Sequence, residues 1–307
     1  MQDKQTAGCC KTIQDIHKES VSQMKIAIVI LNYNSSADCG KCISYLKQQK
    51  GVEIEIIIVD NCSCDDDRKA LEVLCKEQEC TFIANNENRG YNAGNNVGLR
   101  YATENGYEYA LIANPDMEFP QTDYLATLLE KMQEEKDITV CGSDIVGTDG
   151  KHQSPMGKEG NWRSSFGWIK EIFRKKKQSD TYDFIDNYKE SHYCHKVSGC
   201  CFMVRTDFLK EINFFDENVF LYCEEAILSR QVKIAGKKMY YLATSQAVHR
   251  HISNEKGDPI KRFKTWGKSR CYYIDKYSND SWIGKLLAKL SMKMYVAVFT
   301  LYNKIKK

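Results

Sequence analysis

The sequence predicts an α/β protein, with a mostly parallel sheet flanked by helices and a helical extension at its C-terminal end. Three observations carry this. Lys25–Leu31 (KIAIVIL) and Ile54–Val59 (IEIIIV) are near-continuous apolar, β-branched runs, as expected of strands buried on both faces. Helix-like stretches separate them from Thr81–Ala84 and Tyr109–Ala113 at the spacing of strand–helix–strand units, which pair in parallel with right-handed crossovers. Three of the strands also stop in polar residues, at Asn32-Tyr33-Asn34-Ser35, Asp60-Asn61-Cys62-Ser63 and Asn114-Pro115-Asp116-Met117-Glu118. Those ends gather along one edge, where open α/β sheets bind their ligands.

Taken in order, residues 1–24 are polar and expected to form a poorly ordered leader, with the main domain spanning 25–255. Helices are expected over Cys42–Gln49 and near Asp67–Glu79. The stretch Asn88–Glu118 is the centre of the reading. It opens with a turn rich in glycine and asparagine, continues as a short helix ending near Asn105-Gly106, and closes with the strand that delivers Asp116. Gly90, Gly94 and Gly98 are four apart, so in a helix they share a face that can approach a sheet or a ligand closely. A helix N-terminus with asparagines beside it suits a phosphate or sugar. A carboxylate such as Asp116 suits a hard divalent cation carrying substrate phosphates. Each piece alone reads equally as a softened helix or an ordinary turn; adjacent and in this order they favour a nucleotide-phosphate site.

Thr122–Lys136 reads as an amphipathic helix and Val140–Val146 as a strand. Residues 147–195 hold five glycines, a basic cluster at Arg174–Lys177 and scattered aromatics, among them Trp162, Trp168 and Tyr182. They form a long excursion that either shapes a site or is simply solvated. Val197–Arg205 reads as a strand, after which Thr206 caps a short helix. An aromatic segment, Phe214–Cys223, meets Glu224 and Glu225 at the start of a helix near Glu224–Ala235. Acidic side chains there serve the helix dipole, or one is a general base near the cleft. After a strand at Tyr240–Leu242, His249 and His251 fall in a basic loop suited to ligation or phosphate binding.

The 307 residues suffice for one large domain with an appendage or for two domains, and 42% hydrophobic residues supply a core. A net charge of +3 calls for no nucleic-acid partner. No terminal segment reads as a signal peptide, and no uncharged apolar run reaches the ~18 residues that span a bilayer, which points to a cytoplasmic protein. The 14 cysteines lack a secreted-scaffold rhythm. Cys75, Cys141, Cys200 and Cys201 read as small core residues in a reducing compartment. Cys39 and Cys42 form a CxxC, but it lies in an expected helix and has no second pair at zinc-ribbon spacing. Over 256–307 the chain turns basic and amphipathic. Lys285, Lys289 and Lys293 form a stripe beside an apolar face, which suits either an anionic membrane surface or packing on the domain or on a second subunit of a homodimer.

Several ordered motifs carry a resemblance: Ile28–Asn34, Val59-Asp60-Asn61-x-Ser63, Asn88-Arg89-Gly90-Tyr91-x-x-Gly94-Asn95-Asn96, Leu111–Asp116, Ser198-Gly199 and Phe215-Asp216-Glu217 through Glu225. Together, over roughly 25–255, they resemble family-2 glycosyltransferases of the GT-A fold, a Rossmann-like architecture, and the rhamnosyltransferase-like branch of bacterial polysaccharide synthesis in particular. The resemblance implies a nucleotide-sugar donor, a Mn2+ or Mg2+ ion and inversion at the anomeric carbon. It implies that Asp60 reads the base, with Asn32 and Asn61 in the same pocket, and that Arg89, Gly90, Asn95 and Asn114 lie along the donor. Asp116 is the surviving acid of the metal motif, whose first acid is Asn114 here, and His249 would help complete the shell. Glu225 falls at the catalytic base, while Glu224, Trp162 and Trp168 fall toward the acceptor. The usual Glu-Asp pair is Glu224-Glu225 in this chain, and an acid common two residues later is Ile227. Those departures leave a second reading, a sugar-nucleotide-binding scaffold without strong catalysis.

Overall fold

The computed structural model describes residues 24–173, 186–250 and 258–305. Residues 1–23 of the expected leader, the basic run at 174–177, Tyr182 and His251 lie outside the described residues.

Strands β1 (Lys25–Asn32), β2 (Glu53–Asp60), β3 (Thr81–Ala84) and β4 (Tyr109–Ala113) alternate with helices α1 (Ser36–Leu46), α2 (Asp65–Glu77) and α3 (Tyr91–Glu104). They pair in parallel in the order β3-β2-β1-β4. Beyond β4 the chain adds β5 (Met117–Glu118), α4 (Tyr124–Glu134), β6 (Ile138–Gly147) and, after a 3-10 turn at Trp162–Phe166, α5 (Gly167–Phe173). Next come β7 (His192–Tyr193), β8 (Cys201–Arg205), α6 (Thr206–Glu211), α7 (Glu224–Ile234) and β9 (Lys238–His249). The sheet continues β4-β8-β6-β9-β5, with β7 also on β9. Only β8, β5 and β7 oppose the common direction among the described strands. The expected mostly parallel α/β sheet is what forms.

Residue parity decides the two layers. Ile26, Ile28, Ile30, Ile56 and Ile58 face α1, α2 and α4, whereas Ala27, Val29, Ile57 and Val59 face α3, α6 and α7. On that second face α3 lies close to the sheet. A β-carbon at Gly98 would stand 2.5 Å from Val29 Cγ1, and one at Gly94 would stand 2.5 Å from Leu31 Cδ1.

Two expectations shift for identifiable reasons. The strand at Tyr240–Leu242 extends to His249, because a bulge lets Ser143 pair with Leu242 while Asp144 pairs with Gln246. Residues 243–245, just past the expected end of the strand, are the bulge itself, so His249 sits in a strand opposite Met117 and not in a loop. Thr206 does not cap its helix; its hydroxyl donates to the Tyr107 carbonyl at 2.6 Å.

The C-terminal helices α8 (Pro259–Lys276) and α9 (Trp282–Ile305) lie against one another. Phe263 stacks on Phe299 with ring centroids 4.0 Å apart. Trp168 donates to Ser291 Oγ at 2.9 Å and stacks on Tyr295, while Trp162 lies against Gly284. These two tryptophans, expected toward an acceptor, instead bind the excursion to α9. Among the described residues, no helix is long and apolar enough to cross a membrane.

Candidate active site

The tips of β1 and β2 are laced together from within. Asn32 and Asp60 are register partners and both are fully buried. The Asn32 amide donates to Asp60 Oδ1 at 3.2 Å, Ser63 Oγ at 3.0 Å and Asp67 Oδ2 at 2.8 Å. Asp60 Oδ2 accepts from Arg68 Nε at 3.0 Å and from the Ser63 amide at 3.3 Å. This buried, hydrogen-bonded pair braces the two strand tips. Neither Asn32 nor Asp60 is among the residues that line the cleft. Asn61 takes the wall, because successive side chains at a strand end point to opposite sides. Its amide donates to Asn88 Oδ1 at 3.0 Å and to the Gly90 carbonyl at 3.3 Å.

Gly90 is a required glycine. Its φ is +100°, and a β-carbon there would stand 2.2 Å from the Phe220 carbonyl oxygen. The close approach lets the Tyr91 amide donate to that same oxygen at 2.9 Å, tying the turn to the aromatic segment before α7. The neighbouring candidates turn away from the cleft. Arg89 pairs with Glu217 at 3.1 Å on the surface. Asn95 is buried, donates to the Tyr91 carbonyl at 3.0 Å, and its Oδ1 has no partner among the described residues.

Between these walls lies a cleft of about 520 Å³. Asn61, Gly90, Asn114 and Asp116 line it, as the sequence led us to expect, together with Tyr33, Asp38, Phe220, Leu221 and Lys261. Of these unanticipated residues, Tyr33 and Asp38 follow directly from the polar tip of β1. Lys261 had no local signal, for it arrives from α8, far along the chain.

Asp116 sits 3.2 Å from His249 Nε2, and His249 Nδ1 lies 2.8 Å from Gln153 Oε1. Burial works to lower the His249 pKa, but bonding to Asp116 and Cys200 prevails and lifts it to about 10. An ion that displaced the His249 proton would find a carboxylate and an imidazole whose other nitrogen is anchored, a pair that fits a divalent cation of the Mn2+ type. Among the described residues no third His, Cys, Asp or Glu joins them. Asp116 and His249 are the two side chains that would hold such an ion.

Glu224 and Glu225 open α7 after two residues in the left-handed region, Tyr222 (φ +73°) and Cys223 (φ +70°). They line a small apolar hollow with Gly199, and Tyr91 forms part of both this hollow and the wall of the main cleft. Glu224 Oε1 accepts from the Tyr222 amide at 2.7 Å. Burial, and then the charge of Glu225, push the Glu224 carboxyl up to about 8. Glu225 Oε1 accepts from the Gly199 amide. The CxxC cysteines belong to the core instead: Cys39 and Cys42 are fully buried on α1, and burial drives both thiols well above their usual range.

Residues 27–212 match the family described as Glycosyl transferase family 2. A curated relative, the low-salt glycan biosynthesis hexosyltransferase Agl10 of Haloferax volcanii, is 27% identical over 65% of the chain and 59% of its own length. The match thus spans somewhat more than half of that relative. Among solved structures, GalNAc-T7 with UDP, GalNAc and Mn2+ aligns at a TM-score of 0.58 and 15% identity, over 83% of this chain and 49% of that one. The mannosyltransferase PcManGT of Pyrobaculum calidifontis, in complex with GDP-Man and Mn2+, aligns at 0.57 and 13%, over 88% and 69%. The shared architecture is the GT-A fold.

Proposed function

The chain belongs to glycosyl transferase family 2, and on that premise we propose that it moves a sugar from a UDP- or dTDP-linked donor to a saccharide hydroxyl with inversion. The observation that carries the reading is the convergence of Asn61, Asn114 and Asp116, from the tips of two parallel strands, on one cleft. Asn61 and the Gly90 turn would hold the nucleoside, while Asp116 and His249 face the diphosphate. A Mn2+ or Mg2+ ion held by those two side chains supplies charge neutralisation for the leaving diphosphate. Lys261, which also lines the cleft, adds a positive charge. Glu225 takes the proton of the acceptor hydroxyl as that oxygen attacks the anomeric carbon, and the bond to the diphosphate breaks on the other face. The hexosyltransferase relative supports a hexosyl donor and the Mn2+-bound neighbours a metal-dependent reaction, while a rhamnosyl donor rests on the motif resemblance alone. We further propose that the acceptor is a lipid-linked saccharide of bacterial cell-surface polysaccharide synthesis, at the inner face of the cell membrane.

The scaffold reading has its own observation, the two-donor cation site with Asn114 where the family carries an acid. Incubation with a panel of UDP- and dTDP-sugars, with Mn2+ or Mg2+ present, separates the two. The enzyme reading expects nucleotide release with at least one donor, and loss of its metal dependence in Asp116→Asn. A scaffold binds donors, seen as a thermal shift, and releases nothing.

A further inference from the structure

The largest feature the proposed reaction leaves unused is the outward face of α9. Trp282 is 75% exposed, Leu286 56%, Leu290 54%, Leu301 61% and Ile305 77%. With Met294 (48%) and Val298 (43%) between Leu290 and Leu301, they recur every three or four residues as one stripe along the helix. The opposite face is the one already packed: Ala288, Ser291 and Met292 are buried, Phe299 stacks on Phe263, and Tyr295 meets Phe263 edge to face. Scattered apolar residues on a surface need no explanation, but a continuous stripe does.

Charge narrows what covers it. Trp282–Ile305 contains four lysines and neither aspartate nor glutamate. Lys285 and Lys289 lean back to Asp275, at 2.8 Å and 2.6 Å, whereas Lys293 and Lys304 are exposed along the border of the stripe. The adjoining α8 exposes Lys261, Arg262, Lys264 and Lys268. An apolar stripe edged by cations fits an interface that is apolar below and anionic at its rim. A second copy of the chain would bring an equally basic border against this one and be repelled.

We propose that α9 docks in the headgroup plane of an anionic lipid bilayer, lying along it without crossing. The cleft follows the helix: Lys261 lines the cleft, and two residues on, Phe263 stacks against Phe299 of α9. The docked helix therefore holds the donor cleft beside the bilayer, within reach of an acceptor whose tail is embedded there. This last point rests on the proposed transferase reading; the docking itself does not.

The test is co-sedimentation of the full chain with phosphatidylcholine vesicles, with and without phosphatidylglycerol. Binding is expected with the anionic lipid and weaker without it. The triple change Leu286→Glu, Leu290→Glu and Leu301→Glu should weaken binding by more than about tenfold. That variant should keep the parent's thermal midpoint and donor binding. No sedimentation of the parent, equal sedimentation of the variant, or a parent dimer that the triple change dissociates, seen by light scattering, overturns the proposal. Vesicle binding in a protein that releases no nucleotide from any donor would sink the transferase reading and leave the docking intact.

Discussion

The backbone amide of Gly199 donates to Glu225 Oε1 at 3.3 Å, and the same residue's carbonyl accepts from the Tyr91 hydroxyl at 2.6 Å. One glycine thus sits between the wall of the donor cleft and the glutamate proposed as base. A β-carbon there would stand 2.9 Å from Glu225 Oε1. Gly199→Ala is expected to displace the carboxylate and lower kcat by about tenfold or more, as small misplacements of catalytic groups do. Donor affinity, measured by thermal shift, should hold. Parent kcat in this variant would remove Gly199 from the argument.

Glu225→Gln keeps shape and hydrogen bonding but cannot accept a proton. Turnover should fall by roughly a hundred- to ten-thousand-fold, the usual worth of a positioned base, with donor binding retained. Steady-state kinetics with a competent donor and acceptor decide it; a variant as fast as the parent moves the base elsewhere.

Glu224 gives a pH signature. Its carboxyl ionises near 4.5 in the unfolded chain and about 8 in the fold, where burial, and then Glu225, oppose the charge. Between those values the folded state holds the extra proton, so this group's contribution to stability declines as pH rises through the window, by up to about 1.4 kcal/mol per pH unit. Glu224→Gln should flatten the decline, gaining on the parent from pH 5 to pH 8 in thermal melts. Parallel curves would mean that Glu224 is ionised throughout.

The glycines of α3 separate stability from binding. At Gly98 a β-carbon meets Val29 and Val59 in the core, and overpacking of that kind costs about 1–3 kcal/mol. Gly98→Ala should lower the melting temperature with little change in donor affinity once folded. At Gly94 the intruding carbon meets Leu31 and comes within 3.1 Å of the Asn61 amide, both on the cleft wall. Gly94→Ala should weaken donor binding too, as read by titration calorimetry; equal affinity in the two variants contradicts the geometry.

The parallel half of the sheet was legible because its strands announce themselves locally: Ile26 to Ile30 and Ile56 to Val59 are buried on both faces and cannot read otherwise. Asn61, Gly90, Asn114 and Asp116 were legible for the related reason that they end or follow such runs. What stayed hidden depends on partners distant in sequence. Asp60 looks like a cleft-lining acid until Asn32, Arg68 and the Ser63 amide are seen bonded to its oxygens within the fold. Lys261 joins the cleft from α8, and no pattern near it says so. The tryptophans looked exposed and functional because their partners, Ser291 and Gly284, lie more than a hundred residues later.

Three bonds bind α8 and Tyr277, the residue that follows it, to the segment that carries the glutamates. Tyr272 and Tyr277 both donate to Asp216 Oδ2, at 2.7 Å and 2.6 Å, and Ser269 donates to the Leu221 carbonyl at 2.7 Å. The last two helices therefore act as a buttress, not a tail. A chain shortened at residue 255 would strip the support from behind Tyr222 and Cys223, whose left-handed turns aim Glu224 and Glu225. Trimming the chain from its C-terminus would then disturb the two glutamates before it touched the main cleft.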